Sequence, residues 1–257
     1  RPGTDTAFDT NQMRVGRRLA IKILNASRFI LAPRPGVEDA PTAQDAPPQV
    51  AVITHPVDRA MLRNVAALVD EATRDFEEYD YARALQRAEE FFWRFCDDYL
   101  ELVKGRRYGD QGAAAAASVN QALAAALSVL LRLFAPFLPF VTEEVWSWWR
   151  DGSIHTAPWP AAADLHELAG AVGGDGGADQ RLYTWATEVL FDVRKQRSEA
   201  KQPMRVPIVS VTVRADAEVL ALMPEVEADL KSALRVQRFD LAVGEPREIV
   251  VTGYAAL

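Results

Sequence analysis

A chain of 257 residues, 49% of them hydrophobic, holds enough apolar material for one large or two modest cores. Its net charge of −7 argues against a generally basic coat for nucleic acid while leaving local patches open, and its single cysteine, Cys96, excludes a disulfide framework. No apolar run reads as long enough to cross a bilayer and no signal-peptide layout opens the chain, so a soluble, cytoplasmic protein is expected, and the lack of an initiator methionine makes Arg1-Pro2-Gly3-Thr4 read like the middle of something longer.

After a polar lead-in, Asp9 or Thr10 can cap a helix running from Asn11 to about Leu31, stopped by Pro33, Pro35 and Gly36. Val15, Leu19, Ile23, Ala26 and Ile30 recur at helical spacing and form its core face, with Met13, Ala20 and Leu24 beside them. The opposite face carries Asn11, Arg14, Arg18, Lys22, Asn25 and Phe29, with Arg17 and Arg28 at its edge; Ile21 intrudes there without explanation. From Arg1 to Arg34, seven Lys or Arg face only Asp5 and Asp9, a local charge of +5 in an acidic protein. Cations along a helix that ends in an outward aromatic suit a phosphate backbone leading to an unstacked base. A solvated face with salt bridges to acidic neighbours fits the same pattern.

Glu38 to Gln49, rich in Pro, Ala, Asp and Gln, reads as an exposed loop. Pro56 starts a second helix reaching about Glu78, with Met61, Val65, Leu68, Val69, Ala72 and Phe76 inward, and Asp80 begins a third after a tight joint. On the third helix Ala84, Leu85, Ala88, Phe91, Phe92, Phe95, Tyr99, Leu102 and Val103 gather on one broad face at about 100° per residue. Cys96 belongs with them, a buried, reduced thiol. The other side places Trp93, Asp97, Leu100 and Lys104 on one strip: a flat aromatic, an acceptor, an aliphatic and a cation that could grip a nucleobase. A central helix buried on both sides would look the same. Gly105 to Gly112 reads as a turn whose Arg106 and Arg107 add positive charge at the end of that strip.

Ala113 to Ala135 is almost wholly apolar over Leu123 to Phe134, hence a central helix, and Phe140 to Arg150 follows Pro139 with Val141, Val145, Trp146 and Trp149 as bulky packing. Ser153 to Pro160 is an extended strap expected to lie back across the bundle, with His155 a packed or hydrogen-bonded surface residue. The run Gly170-Ala-Val-Gly-Gly-Asp-Gly-Gly follows no predicted strand and lacks a Lys-Ser/Thr ending, so it reads as linker rather than phosphate loop. Beyond it the character changes. An amphipathic helix over Leu182–Gln202 carries Arg194, Lys195, Arg197 and Lys201 in its second half; a strand over Pro207–Val213, helix over Ala217–Leu234 interrupted at Pro224, and strands over Arg235–Val243 and Glu248–Val251 complete a small α/β unit.

Catalytic and metal chemistry are hard to find. Of His55, His155 and His166, none has a carboxylate three residues before it, as a di-iron bundle requires. Cys96 faces the core without a histidine in its helix, which removes a thiol nucleophile. The pairs Glu89-Glu90 and Glu143-Glu144 point to different helix sides and read as solvated charge.

Five stretches in order, Gly3–Asp9, Asn25–Leu31, Phe95–Lys104, Phe134–Trp146 and Ala157–Pro160, closely resemble the valyl-tRNA synthetase family, and Val193–Glu199 extends the likeness more weakly. Pro-Phe-Val-Thr-Glu-Glu-Val-Trp is shared with the isoleucine and leucine enzymes, whereas Phe-Cys-Asp-Asp-Tyr-Leu-Glu points to valine. The resemblance implies that the bundle over 1–160 is an anticodon-binding one; with the linker read over 161–178 and the small α/β domain over 179–257, a mainly α protein is expected. It implies a C-terminal piece without the catalytic and editing domains, so no cofactor in this chain and ATP used by the catalytic domain of the same polypeptide. The implied partner is the anticodon loop of valine tRNAs, whose anticodons share A then C at the second and third places, and no membrane. The family's stacking aromatic falls at Phe29, its apolar base contact at Leu100, and polar or basic contacts at Lys22, Asn25 and Arg28; Asn11 stands where some members carry Arg. A helical protein-docking module, or the same region of the isoleucine or leucine enzyme, is the alternative.

Overall fold

The computed structural model describes residues 9–33, 53–170 and 176–255. The lead-in before Asp9, the loop expected over Glu38–Gln49 and residues 171–175 of the Gly-rich run lie outside them. Helices α1 (Thr10–Leu31), α2 (Pro56–Glu77) and α3 (Tyr81–Arg94) come first. A π-helical segment, Phe95–Tyr99, carries α3 into the short helices α4 (Leu100–Leu102) and α5 (Lys104–Arg107). Then follow α6 (Ala113–Phe134), α7 (Pro139–Ser147), a 3₁₀ turn at Ile154–Thr156, α8 (Ala162–Leu168) and α9 (Gly176–Glu199). The chain closes with β1 (Ile208–Ala215), α10 (Ala217–Leu220), α11 (Met223–Leu234), β2 (Val236–Val243) and β3 (Glu248–Tyr254). A helical protein ending in a small α/β unit is what the periodicities predict.

Contacts divide the chain into two units. One takes its described residues from Arg1–Ile53, Leu62–Arg94 and Asn120–Ala171; the other takes them from Thr54–Met61, Phe95–Val119 and Val172–Leu257.

The first unit is a helical bundle. Leu19, Ile23, Ala26 and Ile30 of α1, Val65, Val69 and Ala72 of α2, Ala84, Ala88 and Phe92 of α3, and Leu123, Leu127, Leu130 and Phe134 of α6 are all buried. Phe92 meets Phe134 edge-on, ring centres 5.5 Å apart. The strap lies across this bundle as expected: Trp159 packs 5.0 Å from the ring of Phe76, its Nε1 donates to Thr73 Oγ1 at 2.8 Å, and Arg132 donates to the Pro158 carbonyl at 3.1 Å. His155 stays at the surface, its Nε2 3.3 Å from the Pro139 carbonyl. The segment expected as linker from 161 instead forms α8, which sinks Leu165 into the core. Alanines and an i, i+3 leucine pair suffice for a helix once there is a surface to pack on. By length and composition α6 meets the requirement for crossing a bilayer, against the expectation from sequence, yet 61% of its apolar window is buried inside the protein.

The second unit contains the sheet, in strand order β2-β1-β3, with β1 parallel to β2 and antiparallel to β3. A parallel pair needs a crossover, supplied by α10 and α11. Val211 and Val213 of β1 are fully buried, as are Val189, Leu190 and Val193 of α9 and Val226, Leu230 and Leu234 of α11.

Residues 54–61 and 95–119 join this unit through a buried polar hub. Arg106 donates both terminal nitrogens to Asp58, at 2.7 and 2.9 Å, and its Nε to Asp229 at 3.1 Å. Tyr99 and Ser118 each donate to Asp58 at 2.8 Å, and Gln111 donates to Asp229 at 2.6 Å. Every member is satisfied, which is the condition under which a buried ion cluster persists. Arg106 is therefore not surface charge but 0% exposed, and Arg107 beside it, expected to add surface charge, is 1% exposed. Gly105 is small for a reason, since a Cβ there would fall 2.1 Å from Ser232 Oγ.

Candidate nucleic-acid interface

The outward stripe of α1 follows from helical spacing. Arg14, Arg18, Lys22, Asn25 and Phe29 succeed one another at three or four residues, one ridge about 22 Å long at 1.5 Å per residue. Arg14, Arg17, Arg18, Asn25 and Arg28 are exposed, while Lys22 and Phe29 are half-buried. Asn11 belongs to α1 by its backbone; its side chain is outside the described residues.

Two tryptophans of the same unit frame this ridge. Lys22 Nζ lies 5.3 Å from the centre of the Trp93 ring, and Trp93 Nε1 donates to Glu89 at 3.2 Å, so α1 and α3 meet at that pair as the strip requires. Farther along, Arg28 sits 5.9 Å from the Trp148 ring, whose Nε1 donates to Glu144 at 3.0 Å. Trp148 was missed by sequence reasoning. The signal was present: Trp146, Trp148 and Trp149 fall within four residues, too close along any helical turn for all three to face the core. Here Trp146 is buried, Trp149 half-buried and Trp148 37% exposed. Arg150 joins this cluster, its guanidinium 4.3 Å from the Trp149 ring.

The N-terminal half of α1 departs from its wheel. Val15 and Met13, assigned to or beside the core face, are 37% and 57% exposed, while Ile21, 45% exposed, stays on the outward face where the wheel put it. With Arg14, Arg17 and Arg18, Val15 and Ile21 line an open groove among cations.

Downstream, the strip breaks up. Leu100, expected to face solvent beside Trp93, is only 6% exposed. The wheel keeps its phase past the π-helical segment at Phe95–Tyr99, since Tyr99, Leu102 and Val103 are buried and Asp97 and Lys104 exposed. Leu100 is covered because this stretch is buried on both sides, as a central helix is. Asp97 and Lys104 are exposed; Arg194 donates to the Asp97 carbonyl and Lys104 pairs with Glu101 at 3.2 Å. Cys96 is buried as expected. Among the described residues, no group of three or more His, Cys, Asp or Glu side chains is placed to hold a metal.

The model of one family, described as the anticodon-binding domain of tRNA ligase, matches residues 58–213. Among curated proteins, a valine–tRNA ligase of Salinispora tropica is 49% identical over 250 residues, covering 94% of this chain and 28% of the relative. That of Thermobifida fusca is 50% identical over 237 residues, covering 92% and 25%. That of Bifidobacterium longum is 40% identical over 267 residues, covering 98% and 28%. The chain thus spans little more than a quarter of the length of the relatives it matches.

Proposed function

We propose, from the premise that this chain belongs to the family of anticodon-binding domains of tRNA ligases, that it is the tRNA-reading part of a valine–tRNA ligase. The whole protein would attach valine to its tRNA with ATP, in the cytoplasm, using a catalytic domain elsewhere in the polypeptide. The observation that carries the reading is the α1 ridge: exposed Arg14, Arg18, Asn25 and Arg28 run up to Phe29, flanked by Trp93 and Trp148. Arginines take phosphates, and rings take splayed bases by stacking, with edge contacts from Asn25 and Lys22. The buried Leu100 has no place in this surface.

Phe29→Ala is expected to cost about 1–3 kcal/mol of valine tRNA binding at fixed salt, the scale of one base–aromatic contact. Titration against valine tRNA and an anticodon-swapped version measures both affinity and discrimination. Unchanged affinity in Phe29→Ala, or equal affinity for the two RNAs, would count against the reading. The second result would favour a docking role for the exposed aromatics.

A further inference from the structure

The second unit carries a basic surface that the anticodon reading does not use. Between Arg194 and Arg214 the chain has six Lys or Arg against one acid, Glu199, in a protein of net charge −7. Arg197 organises this stretch. It is 1% exposed, and its guanidinium donates to the carbonyls of Met204 at 3.2 Å, Val206 at 3.2 Å and Leu234 at 2.7 Å. One side chain thus gathers the end of α9, the loop before β1 and the end of α11. Around it Lys201, Arg205 and Arg235 are exposed, with Arg235 donating to the Arg205 carbonyl at 3.5 Å. None of these four cations has an ion pair with a described residue, whereas Arg194, Arg214, Lys231, Arg238 and Arg247 each do.

Two details argue that the charge is functional. Arg197 is buried on three carbonyl oxygens and the Met204 sulfur, all uncharged, its Nε lacks an acceptor, and burial holds its pKa below the usual arginine range. Its positive field is poorly screened and has no local counterion. Second, Lys201 and Arg235 stand at φ 51° and 55°, left-handed positions that favour glycine or asparagine. The chain places a cation at both. Capping of α11 accounts for Arg197, but not for three exposed charges around it.

We infer that Lys201, Arg205 and Arg235, over buried Arg197, form a second RNA contact that takes the phosphate backbone of the same tRNA. The inference rests on the tRNA-binding reading. The surface is built from exposed cations, so it adds affinity through phosphates without reading bases.

The test is a variant of the full 257-residue chain, Lys201→Asn, Arg205→Ala and Arg235→Asn, with asparagine chosen for its tolerance of positive φ. Binding of valine tRNA is measured over a salt series beside Phe29→Ala. The slope of log affinity against log salt is expected to fall by about 2–3, about one per cation removed, with discrimination against the anticodon-swapped tRNA intact. Phe29→Ala is expected to weaken binding with its slope unchanged. A Lys201→Arg, Arg205→Lys, Arg235→Lys variant should restore the parent slope. If the neutral variant melts early, Arg205→Ala alone, leaving both left-handed positions intact, should lower the slope by about 1. A parent-like slope while Phe29→Ala still weakens binding overturns the second contact and leaves the anticodon reading standing. Parent-like behaviour in both removes both.

Discussion

Arg106→Ala will lower the stability of the fold by about 3–5 kcal/mol at neutral pH, the largest single-residue effect expected in this protein. The loss does not measure the worth of the ion pair. It measures what remains: Asp58 and Asp229, 0% and 1% exposed, would be left facing each other with no cation between them. The pH dependence follows. Burial already pushes the Asp229 carboxyl above its ordinary value, with Arg106 pulling the other way. Without Arg106 the folded pKa rises further above the unfolded one, and a group so raised favours the fold below the unfolded pKa and disfavours it as pH climbs. The deficit should therefore be greatest at pH 7 and narrow as pH falls into the carboxylate range. Urea unfolding of parent and variant at pH 7 and pH 5 checks this. Equal deficits at both would show that stranded carboxylates are not the cause. Combining Arg106→Met with Asp58→Asn and Asp229→Asn should recover part of the loss, because neutral amides cost less to bury.

That hub also marks where sequence reading stopped. The helix positions, the three strands and the Pro-punctuated joints follow from local patterns, which the periodicity of a few residues can carry. The grouping of segments cannot be read that way. Asp58, Arg106 and Asp229 are 48 and 123 residues apart, and nothing in a window around Arg106 announces two buried carboxylates far along the chain. A Lys-Gly-Arg-Arg-Tyr-Gly stretch looks like solvated turn until its partners are known.

The candidate interface divides in the same manner. The α1 ridge was legible because one uninterrupted helix fixes the relation of Arg14 to Phe29. Leu100 was not, because a wheel assigns it to the less apolar side but cannot show that this side is covered as well. The Val15 position failed for another reason: a wheel shows which residues share a face but not how far along the helix a neighbour covers it.

His55 supplies the second large effect, and its direction opposes the one above. Its imidazole is held down to about 4, first by burial and then by the nearby Arg106 cation, against the opposing pull of Asp58; Arg59 adds a smaller push in the same direction and Asp179 a smaller pull against it. Its Nδ1 accepts from the Val57 amide at 3.3 Å, capping the start of α2, and its own amide donates to Ser118 Oγ at 3.2 Å. An imidazolium cannot accept that bond. A group with a folded pKa below its unfolded value of about 6.5 gives its full support above 6.5 and withdraws it as pH falls toward 4. The parent should lose up to about 3 kcal/mol over that window, before most carboxylates titrate. His55→Asn retains an acceptor suited to the cap and removes the titration, so its stability should stay nearly flat between pH 6.5 and 4. Denaturant midpoints of both proteins at half-unit pH steps test it, and an unchanged acid limb in His55→Asn would assign the loss to other groups. The two sites are also coupled: in Arg106→Ala the repelling cation is gone and Asp58 is uncompensated, so the His55 pKa should climb back toward 6.5, visible as a shifted imidazole titration by NMR.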